Sequence, residues 1–511
     1  MRKIPFLTLL AAGAIASFTP LTNVHAAGIS VGVPADVQTM EPNGASTDSN
    51  LSVMANIFDG LLQRDASGKL IPALAESWER VDALTWRFKL RQGVKFQNGN
   101  DFTADDVIFS FKRIATPELS AFVNFGKQIE SVTTVDGDPW TVEVKTVVPV
   151  PFFDQNLHQI FMMDKESTEN RKPGDVGQHP IGTGAYSLAE WVKGSHVKLK
   201  ANPNYWEGAP EIKEATIRPA VEGSTAMASI MSGTVDVLQG VPVEGVKVLE
   251  KNPKLTLVKR PARRAIFLGL TNAKGKPGAD LRVREAIAHA INEEKIIQKV
   301  MFGFAAPAAQ VSDPATVGYN PAIKRAKYDP ELSRKLLAEA GYPNGFDITL
   351  SGPNNRYVND EKILAAVAAD LAKVGIKVKV DAKPKSIIFD EYKQHKPEFY
   401  LLGWFDGSYD FGRSFAKLLH TYDETKGTGT WNAANYSNPE LDAIAEKASN
   451  TIDPKERAKV LQELGVKLQD AFGFIPLHYQ MDLYAITNAK GFDFKPRPDT
   501  WIVFKQIGKK G

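Results

Sequence analysis

One stretch of the sequence, between residues 400 and 436, gathers aromatic and acidic side chains around several glycines. An apolar run at 399–402 leads directly into it. Carboxylates beside aromatic rings suit an ammonium group, because the anion pairs with the charge and the ring faces add cation–π attraction. A loop at the carboxyl end of a strand is also a frequent place for a ligand site. The candidate contacts are Trp404, Asp406, Tyr409, Asp410 and Trp431; a surface loop whose aromatics pack inward stays open as the alternative.

A second pattern in this stretch could do covalent chemistry. Ser414 and Lys417 have the S-x-x-K spacing of serine acyl-enzymes, in which the lysine deprotonates the serine, but the companion S-D-N and K-T-G motifs are missing. The sequence also lacks the phosphate-loop, nucleophile-elbow, zincin and dinucleotide-binding motifs, and no histidines are spaced as a metal pair. We therefore expect no catalytic residue, no metal and no cofactor, and keep an exported serine acyl-transfer hydrolase as an alternative.

The elements that would position these residues alternate between strands and helices. Strict alternation of apolar and polar residues predicts strands at 85–90 and 140–145, and Thr103 with its following acidic residues predicts a helix start. A longer apolar periodicity predicts a helix over 282–302. A strand–helix–strand unit is predicted at 347–350, 360–373 and 375–380.

The first residues have the pattern of an export signal. Arg2 and Lys3 precede an apolar segment at 6–17, and Val24 and Ala26 supply small residues for cleavage. We expect residues 1–26 to be a signal peptide and the mature chain, 27–511, to be periplasmic. Without cysteine, the chain has no acceptor for a lipid at a processed N-terminus, so we expect it not to be lipidated.

The amino-acid composition limits the classes of partner that the protein can bind. The chain has 511 residues, of which 24% are charged and 43% hydrophobic, which is typical of a folded globular protein. With 62 Lys and Arg against 59 Asp and Glu, the net charge is +3, too small for the basic surface that nucleic acid requires. We expect a monomer with no nucleic-acid partner. The absence of cysteine excludes disulfides and thiol-ligated metals.

Ordered sequence blocks along the mature chain are similar to those of a known family. They occur at 57–62, 72–78, 88–96, 102–107, 180–186, 202–206, 232–236, 281–287 and 337–345. The chain resembles the substrate-binding proteins of the peptide/nickel class of ABC importers, solute-binding protein family 5, which includes dipeptide-, oligopeptide- and glutathione-binding proteins of the periplasm. The resemblance extends over essentially the whole mature chain.

The resemblance implies an α/β fold: a two-lobed periplasmic-binding-protein (type II) clamp with an extra inserted subdomain in the first lobe. Lobe I would have a main domain from residues 27–65, 179–265 and 481–511, with the inserted subdomain at 66–178. Lobe II would comprise residues 266–480. In such a clamp, the second lobe closes over the ligand.

The resemblance also implies site residues. In dipeptide-binding members an arginine contacts the ligand carboxylate, and the matching residue is Arg356, followed by Tyr357. In peptide-binding members an aspartate three residues after the Trp of a Gly-Trp pair holds the ligand amine, and that position is Gly407. The nearest carboxylates, Asp406 and Asp410, could replace it only with a different loop conformation.

The function implied is capture of a short peptide or peptide-like ligand for delivery to the permease subunits of an ABC transporter, without enzymatic activity. Alternative cargoes are a glutathione-like conjugate, an opine, an oligosaccharide or a nickel chelate. A chaperone or cell-wall sensor built on the same clamp is a further alternative.

Overall fold

The structure is a computed structural model that describes residues 28–172, 174–220 and 223–509. The predicted signal peptide at 1–26 lies outside the described residues. Among those described, no helix combines the length and apolarity needed to cross a membrane.

Strands and helices alternate along the chain. The strands, β1 to β19, are Ile29–Val33, Leu62–Arg64, Leu70–Pro72, Ala75–Arg80, Thr85–Leu90, Ile129–Val135, Asp138–Thr146, Tyr186–Val192, His196–Ala201, Glu214–Pro219, Val237–Gln239, Leu255–Leu270, Ala305–Pro307, Asp347–Pro353, Lys377–Lys383, Phe399–Trp404, Phe474–Thr487, Phe492–Asp493 and Gly508–Lys509. The α-helices, α1 to α15, are Asp48–Ile57, Ala104–Ile114, Val123–Gly126, Phe153–Asn156, Lys165–Thr168, Gly223–Met231, Val246–Glu250, Leu281–Ala290, Glu293–Lys299, Pro330–Glu339, Asp360–Ala372, Lys385–Lys393, Phe411–Leu418, Pro439–Asn450 and Pro454–Asp470.

A single mixed sheet runs through the molecule. Within the described residues it has eleven strands, in the order β15-β14-β16-β12-β17-β11-β1-β10-β9-β8, with β13 paired to β17. The two long strands β12 and β17 are antiparallel neighbours at its centre. Their pairing has its longer interruption between the pair Pro261 and Met481 and the pair Ala265 and Tyr479, and a further register shift follows between Ile266 and Phe267. We call residues up to 261 and from 481 onward the first lobe, residues 265–479 the second lobe, and residues 262–264 and 480 the crossing segment.

The second lobe has an apolar core on each face of the sheet. On β12, Ala265 and Phe267 face one core, whereas Ile266, Leu268 and Leu270 face the other. Successive side chains of a strand point to opposite faces, so a strand covered on both sides must be apolar throughout. Strand β16 alternates in the same way. The apolar run at 399–402 is therefore a fully buried strand.

The core of the first lobe joins the two ends of the described chain. Strand β1 shares an apolar cluster with residues near 501–507. The Asn56 side chain donates to the carbonyl of Ile502 at 2.8 Å and accepts from the backbone N–H of Phe504 at 2.8 Å. The N–H of Ile502 also donates to Ser52 Oγ at 2.8 Å. This lobe is complete only when both ends are in place.

A separate antiparallel sheet, β4-β5-β7-β6, lies at 75–146 within the first lobe. The strand predicted at 85–90 is β5, and the one predicted at 140–145 lies within β7. The helix start predicted at Thr103 is also confirmed, because the Asp106 carboxylate accepts the Thr103 N–H at 2.8 Å ahead of α2.

The strand–helix–strand unit predicted near 347–380 is present as β14, α11 and β15, with the two strands parallel. The single helix predicted over 282–302 is wrong, since the structure has two helices, α8 and α9, at that place. The break occurs because Asn292 begins a new helix by accepting the N–H of Lys295 with its side chain. Apolar periodicity continues through such a break, so periodicity alone cannot reveal it.

Candidate functional site

The two lobes touch at Tyr409, one of the predicted ligand contacts. Its ring lies between two guanidiniums, with Arg64 of the first lobe 3.6 Å from the ring centroid and Arg263 of the crossing segment 3.2 Å from it. The residue is only 2% exposed. Cation–π attraction on both ring faces makes Tyr409 a bridge between the lobes. In this arrangement the ring has no face left for a ligand.

The two predicted acidic contacts beside Tyr409 are occupied by the protein itself. Asp410 accepts two hydrogen bonds from Arg457, at 2.6 and 2.9 Å, and also caps α13. Asp406 accepts from Ser408, at 2.6 Å from the hydroxyl, and from Arg413 at 2.6 Å. Both carboxylates are buried. Their oxygens hold the loop in position. This role differs from the ligand contact that the sequence predicted for Asp406 and Asp410.

The loop position that carries the amine-binding aspartate in similar proteins is packed against the first lobe. A Cβ added to Gly407 would lie 2.9 Å from Gln159 Nε2. A longer acidic side chain would require Gln159 to move. The glycine therefore suits the close approach of the two lobes at this loop.

The predicted tryptophans form a half-buried aromatic group in the second lobe. The rings of Trp404 and Trp431 have centroids 6.3 Å apart, and Trp431 packs edge-on against Phe389 at 5.4 Å. Trp404 Nε1 donates to Ser414 Oγ at 3.2 Å, and Lys417 Nζ donates to the carbonyl of Gly427 at 3.2 Å. Among the described residues, Ser414 and Lys417 share no hydrogen bond, so the arrangement needed for a lysine-activated serine is not formed.

Arg356 and Tyr357 lie together with a residue that the sequence analysis did not assign, Arg264. The guanidiniums of Arg356 and Arg264 lie 5.2 and 5.9 Å from the centroid of the Tyr357 ring. Tyr357 is fixed by its hydroxyl, which donates to the carbonyl of Gly403 at 3.0 Å. The carboxylate of Asp360 accepts the backbone N–H groups of both Arg356 and Tyr357, at 2.8 and 2.9 Å. This part of the loop is thus held in place.

Neither of these two guanidiniums has a hydrogen bond or an ion pair with another described residue. Burial lowers the pKa of Arg264, and the nearby charge of Arg356 lowers it further. Two neighbouring cations that have no hydrogen-bonded anionic partner are unfavourable in a partly buried place, although Asp48 and Asp482 act on Arg264 from further away. They would be stabilised by an anion placed between them.

Two carboxylates lie opposite, on the first lobe. Asp48 is the first residue of α1, and Asp482 lies on β17 just beyond the crossing segment. Both line a small cavity of about 60 Å³ between the lobes, together with Arg264, Phe405 and Gln480. The side chains of Asp48 and Asp482 have no hydrogen bond or ion pair within the described part of the chain. The cavity therefore has unpaired charges of both signs on its walls.

The surroundings of the two carboxyls favour their protonated forms. Burial raises the pKa of Asp48, although Arg264 opposes the effect. Burial likewise raises the pKa of Asp482 to about 6, with Arg260 and Arg264 acting against it. Asp48 as a whole is nevertheless an exposed residue, so its side chain keeps access to solvent. A cation in the cavity would stabilise the ionised forms of both.

The sequence analysis named Arg356 and Tyr357 as candidate contacts, and it did not name Arg264, Asp48, Asp482 or Phe405, which lie at or near the cavity. One signal was available, because Arg264 and Asp482 adjoin the apolar runs of β12 and β17, and charged residues at such places are often paired or functional. Among the described residues, no group of His, Cys, Asp and Glu could hold a metal ion.

Comparison with known proteins gives consistent matches. The sequence profile of the bacterial extracellular solute-binding proteins, family 5 (middle region), matches residues 69–426. The glutathione-binding protein GsiB of Pectobacterium atrosepticum is 30% identical over 509 residues, which cover 97% of each chain. The solved structure of HbpA2 from Haemophilus parasuis superimposes with a TM-score of 0.84 at 22% identity, covering 95% of this chain and 100% of that one. The periplasmic binding protein DppA from Helicobacter pylori, in complex with the peptide STSA, gives 0.74 at 25% identity, covering 95% and 98%.

Proposed function

This chain belongs to family 5 of the bacterial extracellular solute-binding proteins, and from that premise we propose that it captures a short peptide or peptide-like ligand between its lobes for delivery to an ABC-importer permease. One observation supports this proposal above the others. Unpaired guanidiniums of Arg264 and Arg356 lie near unpaired carboxylates of Asp48 and Asp482, which belong to the opposite lobe. Walls that carry charges of both signs are complementary to the two charges of a small zwitterion.

The ligand carboxylate is assigned to Arg356, with Arg264 beside it. A guanidinium binds a carboxylate through two parallel hydrogen bonds, and a lysine could not reproduce that geometry. In a desolvated cavity such charge-assisted bonds are stronger than neutral ones. Because the two arginines have no protein partner to release, the ligand gains these bonds without breaking an existing ion pair.

A glutathione-like peptide is the second candidate, because the cavity region offers two unpaired arginines rather than one. A γ-glutamyl peptide has two carboxylates and one ammonium group, and could use both guanidiniums. A simple dipeptide has one carboxylate, which would lie between them. The glutathione-binding relative reported above agrees with this candidate.

The remaining expectations form part of the proposal. The mature chain, 27–511, acts in the periplasm as an unlipidated monomer that binds no nucleic acid and catalyses no reaction. The domain division stays as predicted: 27–65, 179–265 and 481–511 for lobe I, 66–178 for its inserted subdomain and 266–480 for lobe II. The interruption of the β12–β17 pairing between 261 and 265 agrees with a boundary in this region.

The test is a thermal-shift screen of residues 27–511, unfolded and refolded to remove bound ligand. The probes are di- to pentapeptides, glutathione, an opine, an oligosaccharide and a Ni²⁺ chelate. A probe at 100 times its Kd stabilises the folded state by about 2.7 kcal/mol, which raises Tm by a few degrees. Peptide or glutathione shifts should disappear in Arg356→Ala and persist in Arg334→Ala, a matched change at an exposed arginine. A response to the sugar or the chelate alone would reject the proposal.

A further inference from the structure

Asp48 and Asp482 form one wall of the cavity, which we call the acidic wall. Their contacts reveal no role for this wall in the fold. Asp482 Oδ2 is buried without a hydrogen-bond partner among the described residues, and so is Nε2 of Gln480, two residues before it on β17. Most buried polar atoms are paired, because an unpaired one costs about 1–3 kcal/mol. Both side chains line the same cavity as Asp48. Unsatisfied groups of this kind, facing one space, are typical of a site that a ligand completes.

We propose that the ligand's ammonium group binds between Asp48 and Asp482 of the first lobe, a subsite that rests on the proposed function. An ammonium group offers three donors, enough for both carboxylates and one further acceptor. The ring of Phe405 also lines the cavity and adds an apolar wall beside the subsite. The loop carboxylates of Asp406 and Asp410 do not compete for the ammonium group, because both are already paired with arginines.

The charges around the acidic pair favour one ligand orientation. Arg264 is near both carboxylates, and Arg356 is also near Asp48. A ligand anion near the arginines and a ligand cation near the aspartates would each have a counterion. The reverse orientation would place like charges together, which costs several kcal/mol in a partly desolvated site. The ammonium end therefore lies on the first lobe and the carboxylate end towards the second.

This orientation ties the ligand to both lobes. The cavity of about 60 Å³ holds an end group rather than a whole peptide, so the lobes must separate for a peptide to enter. Once inside, the ligand would connect Asp482 of the first lobe to Arg356 of the second. Binding and closure are then coupled through two charge pairs, one at each end of the ligand.

The experiment compares three forms of one peptide by isothermal titration calorimetry: Ala-Ala, N-acetyl-Ala-Ala and Ala-Ala amide, with glutathione as a fourth probe. The proteins are the wild type, Asp48→Asn, Asp482→Asn and the double variant. The matched control is Asp347→Asn, at an exposed strand residue. Far-ultraviolet circular dichroism checks that each variant is folded.

We expect acetylation to weaken binding to the wild type by about 100-fold, because one charge-assisted contact is worth about 1.5–3 kcal/mol. In the double variant the free and acetylated peptides should bind within about 3-fold of each other, whereas the control should keep the full difference. If the acidic pair only balances the nearby arginines, the acetylation effect will be the same in the double variant as in the wild type, and the subsite is rejected.

Ala-Ala amide distinguishes a failure of the ammonium subsite from a failure of the proposed function. If Ala-Ala and glutathione both fail to bind the wild type, peptide capture is rejected, and the amide, which has an ammonium group and no carboxylate, decides the subsite. Amide binding that is lost in the double variant supports the subsite, and no amide binding rejects it as well.

Discussion

Arg263 and Arg264 are consecutive in the crossing segment, yet their guanidiniums have opposite surroundings. Arg263 is 5% exposed and donates to Asp313 at 2.6 Å, to Thr316 at 3.1 Å and to the carbonyl of Asp406 at 3.2 Å. Arg264 has no such bond among the described residues. The first charge is neutralised within the fold, and the second has no hydrogen-bonded partner among the described residues.

The comparison indicates how a binding protein distributes its charged residues. A buried ion pair with all its hydrogen bonds made holds a segment in one conformation. An unpaired charge lowers the stability of the empty protein but becomes favourable when a ligand supplies the counterion. On the function proposed above, the segment that joins the lobes would use Arg263 for the first purpose and Arg264 for the second. Four predictions test this division, in order of decreasing expected effect.

Removal of the paired arginine should have the largest effect. Arg263→Met leaves Asp313 buried without its partner, so the free energy of unfolding should fall by about 3–5 kcal/mol. Urea unfolding followed by circular dichroism measures this value. The double variant Arg263→Met with Asp313→Leu should recover part of the loss, because it leaves no unpaired charge. A fall of less than about 1 kcal/mol in the single variant would mean that the pair does not hold the segment.

Removal of the unpaired arginine should act on binding instead. Arg264→Met is expected to leave the free energy of unfolding within about 1 kcal/mol of the wild type, because no partner is stranded. Binding of glutathione or Ala-Ala should weaken by about 10- to 100-fold through the lost charge-assisted bond. Calorimetry measures the affinity and urea unfolding measures the free energy of unfolding, both on one preparation. Unchanged affinity would contradict the division between the two arginines.

The acidic wall predicts a pH dependence in the empty protein. The pKa of Asp482 is about 6 in the folded protein against 3.8 for an ordinary aspartate, and Asp48, Arg260, Arg264 and Tyr484 are the charged or titratable groups near it. The folded state thus holds the proton on Asp482 more tightly, so the contribution of this residue to stability is greatest below about pH 4 and is lost as the pH rises from about 4 to 6.

Asp482→Asn should remove this dependence and be more stable than the wild type above pH 6, by about 1–2 kcal/mol. Urea unfolding at pH 4.5 and 7.5 measures the difference. Asp347→Asn is the control and should behave as the wild type at both values. A variant that is less stable at pH 7.5 would mean that Asp482 has a stabilising partner.

The smallest effect is expected at the bridge between the lobes. The hydroxyl of Tyr409 is buried without a hydrogen bond among the described residues. Tyr409→Phe keeps the ring between Arg64 and Arg263 and should change the free energy of unfolding by less than about 0.5 kcal/mol. Tyr409→Leu, which removes the ring, should cost more. Equal losses in the two variants would show that the hydroxyl and not the ring joins the lobes.

Local patterns predicted the elements well and the site only in part. Strand β5 has the bounds predicted from alternation, and the capped start of α2 follows from residues three positions apart. Arg356 was named as a candidate because the family resemblance places an arginine after the strand that is β14, and it stays a prediction. Asp48 and Asp482, in contrast, come from opposite ends of the chain and meet only because α1 and β17 belong to the same lobe. No local pattern carries that information.

The acidic loop residues illustrate the opposite difficulty. Asp406 and Asp410 have the right type and neighbours for an amine site, but their partners decide their role. Arg457, which pairs with Asp410, lies 47 positions further along the chain. Whether a carboxylate is free depends on such distant partners, so composition and spacing could suggest these residues but not their availability.

The first lobe takes its core from both ends of the described chain, and this has a consequence for the order of folding. The second-lobe cores use only residues between 265 and 479, so they can form as soon as that segment is available. The first-lobe core needs strand β1 and residues 501–507 together. When a chain emerges N-terminus first from a ribosome or a translocation pore, β1 therefore cannot complete its core until nearly the last residue has appeared. Such a delay leaves β1 without its core for longest, whereas residues 61–162 contain a core of their own. An unfolded segment is the form in which a chain can be threaded through a membrane.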